Sequence, residues 1–191
     1  PSLGAGYPRC SNLLFELSKM ELNISFYPLL FPEEKWDDVY KTLPNTIEVI
    51  LESGHDRLLS FLEARKGFYQ YIVVSRVHNM EFFNNCLSLD SGLLVDTKVI
   101  YDAEAVTAPR EILRMKFLGK AIPPEDQVEL INKELEQSKL AEKIVAVSNN
   151  EADIFKRHGY SEPVVLGHTI ASKPGSNGFI QRSGLLFVGA L

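Results

Sequence analysis

Two stretches of this chain put charged or imidazole side chains directly after apolar, β-branched runs, and a third sets an arginine after paired glycines. The run Ile72-Val73-Val74-Ser75 is followed by Arg76, Val77, His78 and Asn79, and Val99-Ile100-Tyr101 leads into Asp102, Ala103 and Glu104. The third, Leu3-Gly4-Ala5-Gly6-Tyr7-Pro8-Arg9, is glycine-rich and precedes a helical pattern. In open α/β sheets ligands sit beyond the carboxyl ends of the strands, so each position suits a site. His78 can position or deprotonate a hydroxyl, and Arg76 can hold an anion. The two point to the same side if the strand continues; otherwise His78 or Asn79 caps the next helix and Arg76 pairs with a surface carboxylate. Asp102 and Glu104 end a buried strand, where acids are costly unless paired or used on a ligand. The plain alternative is a structural ion pair of Glu104 with Arg110 or Arg114. Glycines such as Gly4 and Gly6 let backbone approach a ligand at a helix N-terminus, and Arg9 can add a charge-assisted contact to a phosphate or sugar oxygen. The same spacing also occurs in ordinary turns.

The elements that must position these groups alternate along the chain. Strand candidates are Leu22 to Tyr27, Thr46 to Leu51, Tyr69 to Ser75, Lys98 to Tyr101, Ile144 to Val147 and Val164 to Leu166. Helical patterns lie between them: Cys10 to Met20, His55 to Ala64, Asn79 to Leu87, Ala108 to Leu118 and Glu125 to Leu140. Ser148-Asn149-Asn150 offers N-cap oxygens to a further helix running to His158, and Gly159 stops it. Such alternation predicts βαβ units, a doubly wound, Rossmann-like parallel sheet covered by helices on both faces.

Composition narrows the function classes. The chain has 191 residues, 45% of them hydrophobic, with a formal net charge of -5. That is enough for one substantial core, and the acidic balance argues against a nucleic-acid partner. No apolar run approaches the ~20 residues of a spanning helix, and the first residues lack the regions of a signal peptide. Cys10 and Cys86 stand far apart with no metal-ligand spacing, so two reduced thiols in a cytoplasmic protein are expected. Arg110, Arg114, Lys116 and Lys120, interleaved with Leu113, Phe117 and Leu118, allow peripheral contact with a membrane, although such a face is more often simply solvated.

The end of the chain carries a family resemblance. Its parts are V-S-x-x-E-x-D-x-F-x-x-x-G from Val147 to Gly159, the strand Val164-Val165-Leu166-Gly167, a polar linker, and R-x-G-L-L-F-V-G-A-L from Arg182 to Leu191. Together these resemble the junction between the two halves of family-4 retaining glycosyltransferases of the GT-B type. The resemblance implies that residues 1–174 form the N-terminal, acceptor-side domain, with its first strand missing, and that 175–191 are the linker and first strand of a donor-binding C-terminal domain. It implies a UDP- or GDP-linked sugar as donor, a sugar, lipid-linked or small-molecule acceptor, and no metal or other cofactor.

In many members the strand matching Val99 to Asp102 ends in a motif like Y-D-x-H-D. Tyr101-Asp102-Ala103-Glu104-Ala105 departs from it, with Glu104 where the histidine stands. The sugar-contacting role then falls to Glu104, to Asp102, or to a histidine from elsewhere such as His78. The same resemblance brings His168, after the Val-Val-Leu-Gly strand, to the border of the cleft, and leaves Arg182 structural. A catalytically inactive nucleotide-binding or regulatory module of the same fold is the alternative. An NAD-dependent oxidoreductase fits less well, because Arg9 occupies the place of the third fingerprint glycine and the next strand ends in Tyr27-Pro28.

Overall fold

A computed structural model describes residues 6–30, 33–160, 162–168, 178–181 and 183–184. Helix α1 (Gly6–Ser18) leads to strand β1 (Ser25–Phe26), a short helix α2 (Trp36–Val39) and strand β2 (Glu48–Val49). Helix α3 (Leu58–Ala64), strand β3 (Tyr71–Ser75), helix α4 (Val77–Leu89), strand β4 (Lys98–Asp102) and helices α5 (Ala108–Phe117) and α6 (Pro124–Glu136) follow. Strand β5 (Lys143–Ala146), helix α7 (Asn149–Arg157) and strand β6 (Val164–Val165) complete the layers. Among the described residues every pairing is parallel, in a two-stranded sheet β1-β2 and a four-stranded sheet β3-β4-β5-β6. The protein is thus α/β with an all-parallel sheet flanked by helices. Within the four-stranded sheet spatial order follows chain order, and among the described pairings no reversal of the kind that defines double winding occurs.

The hydrophobic pattern explains which strands are central. Val74, Val99, Tyr101 and Ile144 are buried from the sheet, with Met80, Phe83 and Leu87 of α4 and Phe155 of α7 packed on them. Tyr101 and Phe155 meet edge to face with ring centroids 6.5 Å apart. Ser148 caps α7 through its Oγ, which accepts from the Glu151 N–H at 3.3 Å, and Gly159 follows that helix at φ 83°. Both match expectation. The expected linker within 171–178, Arg182 and the strand from Leu185 to Val188 lie outside the described residues, apart from Gly178.

The edge of the fold is pinned electrostatically. Arg65 donates to both oxygens of Glu48 at 2.6 Å and to the Tyr69 hydroxyl at 2.7 Å, tying β2 to the approach to β3. The guanidinium holds the Glu48 carboxyl far below its usual value, at about 2. A depressed carboxylate pKa stabilises the fold fully above the ordinary value of 4.5, and that contribution is lost as pH falls toward 2. Both side chains are partly exposed, at 26% and 45%, so the pair contributes about 1 kcal/mol. Arg65→Ala is therefore expected to lower stability by about that amount at pH 7 and by clearly less near pH 2, where the carboxyl is half protonated, measured by urea unfolding at each pH.

Candidate functional site at the carboxyl ends of β3 and β4

Parallel register brings the charged strand ends together. Ser75 pairs with Asp102 as the last rung of β3 and β4, and the Arg76 N–H continues the ladder to the Asp102 carbonyl at 2.9 Å. The Ala103 N–H in turn reaches the Val145 carbonyl of β5 at 2.9 Å. Three adjacent strands thereby fix where Asp102 and Glu104 leave the sheet.

Asp102 is buried, and two groups hold its Oδ2: the Arg9 Nη1 at 2.5 Å and the Ser75 hydroxyl at 3.0 Å. Arg9 also donates through Nη2 to the Leu166 carbonyl beyond β6, at 3.1 Å. One guanidinium thus ties α1 to the ends of β4 and β6. The side chains of Arg9 and Asp102 are only 5% and 4% exposed. Arg9 Nε and Asp102 Oδ1 are buried without a hydrogen-bond partner among the described residues.

This corrects the expectation for Arg9. The helix starts at Gly6 rather than Cys10, because proline at position 8 is tolerated within a first helical turn and its fixed φ suits one. Arg9 is consequently a helical, buried residue whose charge is spent on Asp102, not a loop residue presented to an anion. Gly6 is the first helical residue, and Gly4 lies outside the described residues.

Arg76 and Glu104 form the second pair, with Nε donating to Oε2 at 2.5 Å. Side-chain exposures of 28% and 16% place it between core and solvent, beside the buried Asp102. Both residues have left-handed backbone, at φ 77° and 55°, a region that favours glycine and costs other residues on the order of 1 kcal/mol. Glu104 sits at the centre of a tight turn closed by a hydrogen bond from the Ala105 N–H to the Ala103 carbonyl. Glu104 therefore pairs neither with Arg110, which meets Glu151 at 3.5 Å, nor with Arg114, which meets Glu111 at 2.9 Å.

His78 is on the first turn of α4. The strand ends at Ser75, so the alternation expected to align Arg76 with His78 does not extend to them. Neither His78 nor Asn79 caps the helix: Arg76 occupies the cap position without a side-chain cap bond, and Asn79 donates to the Ser75 carbonyl at 2.8 Å. Partial burial, then the Arg76 guanidinium and His55, push the His78 imidazole below its ordinary range, with Glu104 opposing them. It is accordingly a neutral donor and acceptor at pH 7. His168 is exposed, two residues past the Leu166 carbonyl that Arg9 holds, and no described contact joins it to the cluster.

Sequence reading missed Cys10, Ser75, His55 and Glu134. Cys10 lies near both acids. Burial first, then Asp102 and Glu104, raise its thiol pKa against the opposing Arg76 and Arg9 charges. It is thus a protonated packing group rather than a nucleophile. Glu134 of α6 caps α5 from a distance, accepting the Thr107 and Ala108 N–H groups at 2.7 and 2.6 Å, while Glu151 accepts that of Val106 at 2.8 Å. These carboxylates anchor the loop that carries Glu104. Glu134→Ala is expected to cost about 1–2 kcal/mol by denaturant titration and to raise amide exchange through 103–108.

Among the described residues no group of His, Cys, Asp and Glu converges as a metal site, and no helix is long and apolar enough to cross a membrane. Compared with protein-family models, curated proteins and solved structures, the chain matches none.

Proposed function

We propose that this chain is the acceptor-side half of a GT-B retaining glycosyltransferase, moving a sugar from a nucleoside-diphosphate donor to an acceptor hydroxyl. The observation that carries the reading is the pair Arg76–Glu104 at neighbouring strand ends, beside Asp102 and a neutral His78. Sugar transfer needs a cation for the departing diphosphate and a carboxylate for the positive charge that develops at the anomeric carbon. Arg76 and Glu104 supply one of each. A diphosphate that takes Arg76 frees the Glu104 carboxylate for the sugar or the acceptor hydroxyl, and His78 accepts a hydrogen bond from that hydroxyl. Arg9 and Ser75 hold Asp102 still. On this reading the nucleoside end of the donor is held by a second domain.

The test is to incubate the gene-encoded protein with UDP-, GDP- and ADP-sugars and follow diphosphate release and the anomeric configuration of the product by NMR. Release with retention supports the reading. Inversion or hydride chemistry overturns it. The second reading, a regulatory module of the same fold, draws on the observation that Asp102 and Glu104 are each already paired with an arginine. Nucleotide binding with no turnover of any donor selects it.

A further inference from the structure

A separate cleft of about 720 Å3 opens beyond the carboxyl ends of β1 and β2, within the range of small-molecule sites. Leu29 and Leu30 form part of its wall, and Glu33, Glu52, Asp56, His55 and Arg57 supply its polar groups. Tyr27 braces the rim by donating its hydroxyl to the Gly54 carbonyl at 2.7 Å. His55 also packs edge-on against Phe82 of α4, ring centroids 4.4 Å apart. The cleft therefore borders α4, whose first turn carries His78.

We propose that this cleft binds a neutral polyhydroxylated molecule, a saccharide or polyol. Its carboxylates only accept hydrogen bonds, its guanidinium only donates, and His55 can do either. Hydroxyl groups around a sugar ring match such a dispersed set, each donating to one group and accepting from another. Three carboxylates against one guanidinium disfavour phosphorylated ligands. A compact cation would instead select converging carboxylates, and these do not converge on a metal-sized point among the described residues. That the bound molecule is the acceptor rests on the transferase reading; the binding itself does not.

The test is a 1H-15N NMR titration with glucose, mannose and maltose, with glucose 6-phosphate and spermidine as charged counterparts. Neutral sugars should shift the amides of Leu29, Leu30 and residues 52–57. Glu52→Gln and Asp56→Asn, both at exposed positions, should each weaken that binding by about tenfold. Preference for either charged probe, shifts confined to other surfaces, indifference to both variants, or no shift with any neutral sugar overturns the proposal. Sugar binding here without transfer from any donor sinks the transferase reading alone. Transfer that both variants leave untouched sinks only the assignment of the bound sugar as acceptor.

Discussion

Asp102→Ala should destabilise the protein by about 3–5 kcal/mol, the largest effect expected of any polar substitution here. The loss exceeds the value of an ion pair because Arg9, 5% exposed, would keep its charge in the interior with only the Leu166 carbonyl for compensation. Removing both charges separates the two costs. The double variant Arg9→Met, Asp102→Leu should recover most of the stability, because apolar groups of similar size need no partner. Urea unfolding of the two single variants and the double variant measures this directly. A single variant within about 1 kcal/mol of wild type would mean that water already reaches the pair.

Glu104→Gly is expected to cut sugar transfer by about 10²- to 10⁴-fold while leaving stability within about 1 kcal/mol of wild type. Two terms oppose each other. Glycine relieves the left-handed backbone at φ 55°, and the substitution removes a partly exposed ion pair with Arg76. A residue kept only for structure would not combine near-neutral stability with lost turnover. Glu104→Gln, retaining shape without charge, should share the activity defect, so comparing the two variants separates the carboxylate's charge from backbone relief.

Local chemistry made much of the architecture legible. β-Branched runs such as Ile72-Val73-Val74 and Val99-Ile100 mark strands because branched side chains suit extended, pleated backbone, even on the face of β3 where Val73 stays exposed. Ser148 and Gly159 bracket α7 through short-range cap geometry, which depends only on neighbours. The ends were harder to read. Strands β1 and β2 are two residues each where six were expected, because ladder pairing, not propensity, sets their length. Helix α2 was missed, since Trp36-Asp37-Asp38-Val39 is too short to show a period.

For the site, the sequence marks the strand ends that carry Arg76, Asp102 and Glu104, and the helix start that carries His78. What it hides is pairing at a distance. Arg9 and Asp102 are 93 residues apart, and nothing local distinguishes a helix's buried arginine from a loop's exposed one. Glu134 looked like one acid among many on a charged helix, yet it anchors the Glu104 loop from 26 residues away. Cys10 and His55 carry no spacing signal at all; only the fold brings them to the acids and to His78.

That the strand-end cluster transfers a sugar is decided by assaying the full gene-encoded protein and its Glu104→Gly variant side by side for diphosphate release from UDP-, GDP- and ADP-sugars, since the acceptor-side half alone is expected to turn over none. The full-length wild type should release diphosphate from at least one donor, and the variant, unfolding at a similar urea concentration, should do so about 10²-fold more slowly or worse. Equal rates in the two proteins, or no release by wild type from any donor, would contradict it.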